Sequence, residues 1–205
     1  MEQKLKATAL VCTLSPSPNA SSSELLANEL LEEMKKHSVE TSVFRIADYT
    51  VKFGVENDMG DGDQWPEIRD SILASDIIII STPIWMGQPS SVAKMVLERL
   101  DAELSEKDDQ GVPTMYCKVA AVAVVGNEDG AHHVSAELFQ ALSDVGFTIP
   151  AGGPTYWVGE AMGSVDYQDL KDKPEMTSTT TKTLAANTSH LAKLLKNSNY
   201  PVKEE

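Results

Sequence analysis

Cysteines and basic residues are both scarce in this sequence of 205 residues. Cys12 and Cys117 are its two cysteines, and their separation excludes the CxxC spacing of zinc and redox sites. Two distant cysteines suit a reducing compartment, so neither a disulfide framework nor a metal site is predicted. The 31 acidic residues outnumber the 17 lysines and arginines, which gives a formal net charge of −14. Such a field repels polyanions, and we expect no nucleic-acid partner.

Long apolar runs are also missing from the sequence. No segment approaches the ~20 apolar residues of a membrane span, and the short run after Lys4 and Lys6 ends too early for an export signal. We therefore expect a cytoplasmic protein with no membrane partner. Apolar residues make up 41% of the chain and charged residues 23%, which are ordinary globular values. The length suits one domain over 1–205, with a frayed tail from about residue 198.

The sequence contains an alternation of apolar, β-branched runs with amphipathic stretches. The predicted strands are residues 6–13, 39–46, 76–82, 118–125 and 147–150, and the predicted helices are residues 22–37, 65–75, 89–104 and 131–146, with a last helix within 175–197. Four consecutive isoleucines in the third strand indicate burial on both faces of a parallel sheet. The pattern predicts an α/β fold, a doubly wound five-stranded parallel sheet with helices on both faces. Residues 151–173 are predicted to be irregular.

Three loops follow the first, third and fourth predicted strands, at the edge where such sheets bind ligands. The first loop has five serines between Ser15 and Ser23 and no basic side chain. A helix N-terminus offers unpaired N–H groups and partial positive charge, and serine hydroxyls add donors. Because the GxxxxGK[ST] and GxGxxG motifs are absent, we predict a single phosphate held by neutral donors alone. A flexible serine-rich linker is the alternative interpretation.

The other two loops combine rigid backbone with polar groups. In residues 81–91, prolines and Gly87 fix an irregular backbone, and Trp85 is large enough to cover a flat ligand. The alternative is that Trp85 packs under a helix. In residues 126–130, two glycines bracket three polar side chains that suit the polar edge of a heterocycle, although an ordinary capped turn explains them almost as well.

These three loops, in this order, resemble the flavodoxin-like NADPH-dependent FMN reductases and NAD(P)H:quinone oxidoreductases over most of residues 6–150. The first loop is similar to GSPRxxSNT, with Ser17 in place of the arginine, Leu14 in place of a glycine, and matches at Ser15, Pro16, Asn19, Ser21 and Ser22. The second loop is similar to TPxYxGxxxxxxKxxxD, and it matches at Thr82, Pro83, Ile84, Trp85, Gly87 and Lys94. Trp85 supplies the aromatic residue, and Glu98 stands where the pattern has aspartate. The third loop resembles a GGxxGG loop more loosely.

The resemblance implies a flavodoxin-like sheet of order 2-1-3-4-5 that binds FMN, with NADPH or NADH as electron donor. It also implies a homodimer or homotetramer that passes electrons to a quinone, a free flavin or a similar small molecule. The implied FMN-binding residues are Ser15, Ser17, Asn19, Ser21 and Ser22 for the phosphate, Thr82, Pro83, Ile84, Trp85, Met86 and Gly87 for the isoalloxazine, and Gly126, Asn127, Glu128, Asp129 and Gly130 for its pyrimidine edge. Hydride transfer to a flavin needs no acid–base side chain, so no catalytic residue is predicted.

Several alternatives stay open at this point. Tyr156 and Trp157 are candidates for lining the acceptor slot, or else they pack in the core or an interface, and residues 151–173 are candidates for covering the flavin or building a subunit contact. An acidic, flavodoxin-type electron carrier would use the same fold, although its first loop is usually rich in threonine. A domain without flavin is the third possibility, favoured by Ser17 and by the loose third loop.

Overall fold

Five parallel strands form one sheet in the structure, a computed structural model that describes residues 4–201. They are β1 (Leu5–Val11), β2 (Val39–Arg45), β3 (Ile77–Trp85), β5 (Val119–Gly126) and β6 (Pro154–Val158), and they lie in the order β2-β1-β3-β5-β6. The remaining strand, β4 (Gln88–Pro89), pairs only with the end of β3 and runs antiparallel to it. Apart from this short hairpin, the sheet has the predicted strand number and order.

Helices cover both faces of the sheet. On one face lie α1 (Ser22–Lys35) and α5 (Glu175–Asn197), and on the other lie α2 (Trp65–Leu73), α3 (Ser91–Leu100) and α4 (Ala131–Val145). The four isoleucines alternate between the two cores, because Ile77 and Ile79 face α1 and α5 whereas Ile78 and Ile80 face the other helices. All four are fully buried, as the sequence predicted for a central parallel strand. No helix within residues 4–201 is long and apolar enough to cross a membrane.

The last strand of the sheet does not lie where the sequence placed it. Residues 147–150 form a single bridge, between Thr148 and Val119, and Phe147 is buried by packing in the core that α4 covers. The fifth parallel strand instead begins at Pro154, inside the segment predicted to be irregular. Its sequence, PTYWV, is rich in β-branched and aromatic residues, and proline is tolerated at the first position of an edge strand.

The helix that follows the second loop is shorter than predicted. The α-helix ends at Leu100. A 3₁₀ turn follows over Asp101–Ser105 and leaves Leu104 exposed. Within this turn the buried Glu103 accepts a hydrogen bond from Arg69, a contact that replaces the apolar packing expected of a continued helix. At the other end of the chain, residues 198–201 are irregular, and the rest of the predicted frayed tail lies outside the described residues.

A buried ion pair fixes the long connection between β2 and α2. Arg99 Nη2 lies 2.8 Å from Asp63 Oδ2, both side chains are fully buried, and the guanidinium stacks over Trp65 with its carbon 5.4 Å from the ring centre. Arg99 also donates to the carbonyl oxygens of Lys52 and Glu56. Burial acts to raise the pKa of Asp63, but hydrogen bonds from Arg99 and from three backbone N–H groups hold that pKa well below its usual range.

We predict that Asp63→Asn lowers the free energy of unfolding by about 3–5 kcal/mol at pH 7, because it leaves the buried Arg99 charge uncompensated. Since folding depresses the pKa of Asp63, its carboxylate stabilises the fold above the unfolded pKa of about 3.9, and this stabilisation is lost as the pH falls below that pKa. Urea denaturation measures both effects. The matched control is Glu98→Gln, whose exposed partner Lys94 lies 3.7 Å away. The control should cost at most about 1 kcal/mol, and equal losses in the two variants would contradict the prediction.

Candidate functional site

The three predicted loops meet at the carboxyl edge of the sheet around one cavity of about 520 Å³. Small-molecule sites are typically about 300–1,000 Å³, so the volume suits a ligand of cofactor size. The predicted residues that line this cavity are Ser15, Ser21, Ser22, Pro83, Ile84, Trp85, Met86, Gly126, Asn127 and Glu128. We call it the loop cavity.

The first loop ends at the N-terminus of α1. Ser21 is the N-cap residue, and its hydroxyl oxygen accepts a hydrogen bond from the Glu24 N–H at 3.3 Å. The Ser22 hydroxyl accepts from the Gln168 N–H, also at 3.3 Å. Each hydroxyl acts only as an acceptor in these contacts, so each can still donate a hydrogen bond to a ligand. Together with the N–H groups of the first helical turn, they give this end of the cavity several donors for an anion.

Two residues of the first loop do not reach the cavity, contrary to prediction. The Ser17 N–H and hydroxyl donate to the two carboxylate oxygens of Asp48 at 2.6 and 2.7 Å, so Ser17 fastens the loop to the residues that follow β2. These bonds hold the pKa of Asp48 below its ordinary value. Asn19 is exposed in the turn that begins at Pro16 and does not line the cavity. The sequence pattern placed both residues in the loop but gave no direction for their side chains.

Arg45, the last residue of β2, supports the first loop and was missed in the sequence analysis. Its Nε donates to the Ser15 carbonyl oxygen at 2.8 Å, and its Nη1 lies 3.2 Å from a carboxylate oxygen of Glu24. The loop was predicted to have no cation, but the guanidinium of Arg45, whose side chain is only 5% exposed, lies against it. Strand pairing would have indicated this contact, because parallel pairing places Arg45 opposite Val11, the last residue of β1 before the first loop.

The second loop turns sharply after Trp85. Met86 and Gly87 have φ angles of 55° and 73°, and they connect the paired residues Trp85 and Gln88 in a two-residue hairpin. Their backbone N–H groups donate to the two carboxylate oxygens of Glu128 in the third loop, at 3.0 and 3.1 Å. One carboxylate therefore joins the second loop to the third.

Thr82, which was also predicted to bind the ligand, lies beneath the loop rather than in the cavity. It is fully buried, and its hydroxyl accepts a hydrogen bond from the Ser90 N–H at 3.0 Å. Ser90 in turn is the N-cap of α3, and its hydroxyl donates to the Cys12 carbonyl oxygen at 2.6 Å. Thr82 therefore shapes the backbone of the second loop, because its side chain points into the protein.

The third loop is held against the second loop on one side and against the β6–α5 connection on the other. A Cβ atom on Gly126 would lie 2.8 Å from Ile84, so only glycine lets the ends of β3 and β5 approach this closely. Asn127 Nδ2 donates to Asp166 at 2.7 Å, and the Gly159 N–H donates to the Gly126 carbonyl oxygen at 2.8 Å. These bonds fold the connection over the third loop.

The β6–α5 connection contributes a wall of the loop cavity, and it lies within residues 151–173, the segment that the sequence offered as a cover for the flavin or a subunit contact. Trp157, a candidate slot residue, lines the loop cavity together with Met162, Asp166, Tyr167 and Gln168. The Tyr167 hydroxyl donates to Glu29 of α1 at 2.6 Å, its ring centre lies 5.5 Å from that of Trp157, and burial raises its pKa. The side-chain amide oxygens of Asn127 and Gln168 are buried, and neither has a hydrogen-bond partner in the part of the chain that the structure describes. A ligand that donates N–H groups would satisfy such acceptors.

An adjoining cavity of about 680 Å³ receives the remaining predicted residues, Gly87, Asp129 and Gly130, together with Tyr156. Its wall also includes His132, whose Nε2 lies 3.0 Å from the Tyr156 hydroxyl. These three loop residues therefore face away from the loop cavity. No group of His, Cys, Asp and Glu side chains in residues 4–201 is arranged to hold a metal ion.

Comparison with known proteins identifies the family. The family model described as NADPH-dependent FMN reductase matches residues 6–163, and the chain belongs to this family. The 8-demethyl-8-aminoriboflavin-5'-phosphate synthase of Streptomyces davaonensis is 32% identical over 96% of this chain and 80% of its own length. The crystal structure of RosB with the bound intermediate 8-demethyl-8-formylriboflavin-5'-phosphate has a TM-score of 0.87 and 32% identity, and covers 96% of this chain and 82% of that chain.

The chain is also 31% identical to the divalent metal cation transporter MntH of Mycobacterium bovis, over 94% of this chain but only 29% of that protein's length. The predicted family and the flavodoxin-like fold are confirmed by the family match and by the similarity to RosB. The FMN-binding roles of the individual loop residues stay predictions.

We predict that Glu128→Gln speeds hydrogen exchange of the Met86 and Gly87 amides about tenfold or more, because the turn loses charge-assisted hydrogen bonds. The control is Asp129→Asn, since that carboxylate bonds only the neighbouring Gly130 N–H among the described contacts. Exchange measured by NMR on the ligand-free protein gives the answer. Unchanged exchange in Glu128→Gln would show that the turn is stable without this carboxylate.

Proposed function

We propose that the loop cavity binds FMN and that the protein uses NADPH or NADH to reduce it. The observation that carries this proposal is the convergence of a donor-rich helix N-terminus, an apolar and aromatic wall, and unpartnered amide oxygens around one cavity. A phosphate monoester, a flat ring and a ring N–H group are the matching parts of FMN. Membership of the NADPH-dependent FMN reductase family supports the same conclusion.

Each part of the cavity suits one part of FMN. The hydroxyls of Ser21 and Ser22 and the N–H groups that begin α1 would hold the phosphate. Trp85 and Trp157 offer flat apolar surface to the isoalloxazine ring. The buried amide oxygen of Asn127, in the third loop, would accept a hydrogen bond from a ring N–H donor. The site needs no metal for any of these contacts.

The residues of this chain would bind and orient the flavin, and the redox chemistry belongs to the cofactor. Bound FMN would supply two-electron redox chemistry between NAD(P)H and an acceptor, for which we propose a quinone, a free flavin or a similar molecule. Glu128 would keep the hairpin turn in place while substrates exchange, since it holds both turn amides. Trp85 and Met86 are exposed at the cavity mouth, where they are able to contact a second flat molecule.

A homodimer or homotetramer is part of this proposal. Large apolar side chains are exposed around the loop cavity and on the connection beside it, namely Leu14, Trp85, Met86, Met162 and Val165. A group of exposed apolar residues at one place is a common feature of protein–protein contacts. A second copy of the chain that covers this rim would shield the flavin from water.

The proposal is tested by titrating the purified protein with FMN and riboflavin and then adding NADPH or NADH without oxygen. We expect FMN to bind at least about tenfold more tightly than riboflavin, because riboflavin lacks the phosphate that α1 would hold. The visible flavin band should bleach on the timescale of turnover. Binding without bleaching would favour an electron carrier instead. Failure to bind FMN would overturn the proposal.

The similarity to the Streptomyces synthase favours a second candidate function, in which FMN is a substrate that becomes modified at position 8. The relevant observation is 32% identity over nearly the whole chain. Mass spectrometry of the flavin recovered after aerobic incubation with FMN, NADPH and a mixture of amino acids, together with the remaining NADPH, separates the two candidates. Reductase function predicts unchanged FMN and consumed NAD(P)H, whereas a flavin with a new 8-substituent would establish the second candidate.

A further inference from the structure

We propose that Arg45 supplies the positive charge for phosphate binding that the serine loop itself lacks, and that Glu24 holds Arg45 in place while weakening its effect. This inference rests on the proposed function, because the phosphate in question is that of FMN. It assigns an electrostatic role to a residue outside the predicted motifs and outside the cavity wall.

The guanidinium of Arg45 lies between the first loop and the first turn of α1. Its Nε bonds the carbonyl oxygen of Ser15, a residue of the cavity wall, at 2.8 Å. Its Nη1 lies 3.2 Å from the carboxylate of Glu24, the third residue of α1. The charge is therefore fixed directly behind the backbone that would surround a phosphate.

The third nitrogen of the same guanidinium is unpaired among the described residues. Arg45 Nη2 makes no hydrogen bond within residues 4–201, and the side chain is only 5% exposed. Leaving a buried charged donor unpaired is costly, and an anion or an anion-bound water near the loop would reduce that cost. The unpartnered nitrogen is an observation independent of the helix N-terminus, and it belongs to the same guanidinium that contacts Ser15 and the first turn of α1.

The carboxylates near the loop make this charge necessary. Glu24 lies in the first turn of α1 and Asp48 holds Ser17, so two negative groups lie close to the proposed phosphate site. The protein as a whole carries a formal charge of −14. Without Arg45, these negative charges would oppose a phosphate dianion, and the helix terminus alone contributes only about half an elementary charge. Because Arg45 is buried, its interaction is screened by salt less than that of a surface residue.

The test compares FMN with riboflavin, which lacks the phosphate. We expect Arg45→Gln to weaken FMN binding about tenfold or more and to change riboflavin binding by less than about twofold. Glu24→Gln should strengthen FMN binding severalfold, because it removes a nearby negative charge and frees Arg45 from its partner. The matched control is Glu32→Gln, which makes the same charge change farther along α1 at an exposed ion pair with Lys35. That control should leave both affinities unchanged.

Either of two flavin-binding outcomes would overturn the inference. One is an equal loss of FMN and riboflavin in Arg45→Gln, which indicates a purely structural role. The other is an affinity for FMN in Glu24→Gln equal to that in the Glu32→Gln control. The Glu24→Gln comparison keeps the test valid if Arg45→Gln fails to fold. If the wild type binds no flavin, the proposed function fails. In that case, NMR titration with inorganic phosphate tests the inference. We expect phosphate to shift the amide resonances of Ser22 and Ser23 in the wild type, and Arg45→Gln to abolish these shifts. An absence of shifts would overturn it.

Discussion

The parallel, in-register pairing of β1, β3 and β5 is the constraint on which the rest of the structure depends. Val11 pairs with Ser81 and Pro83 pairs with Val125, so the three strands end at one edge and their loops meet there. Apolar cores on both faces hold this register, because a slip of one residue would turn every side chain to the opposite face. The donors at the start of α1, the hairpin turn and the third loop come together only because of this alignment.

Features set by local sequence were predicted well. The isoleucine run predicted a strand buried on both faces, and α4 ends within one residue of its predicted end, where Gly146 takes a left-handed conformation. Most predicted residues directly after the ends of β1, β3 and β5 line the loop cavity, because the direction of the strands determines where these residues lie. The fifth strand was predicted too early in the chain, because Phe147 is buried in the core without belonging to a strand. The strand that begins at Pro154 was not predicted, because it directly follows two glycines.

Features set by distant contacts could not be predicted from local patterns. Ser17 turns to Asp48 and Thr82 turns to Ser90, and neither partner lies near enough in sequence to reveal the direction of the side chain. The wall that includes Gln168 depends on hydrogen bonds from the β6–α5 connection to α1. Arg45 is the most consequential case, since a loop that lacks a cation in sequence acquires one from the neighbouring strand. Local charge therefore has to be judged in the folded sheet, even in a strongly acidic chain.

A crystal structure of this protein grown with FMN would test the proposed flavin site most directly. We expect the phosphate at the N–H groups of Ser22 and Ser23, the ring between the hairpin turn and the third loop, and a ligand N–H group on the amide oxygen of Asn127. A flavin in the adjoining cavity beside His132, or a loop cavity that contains only water at saturating FMN, would rule out this site.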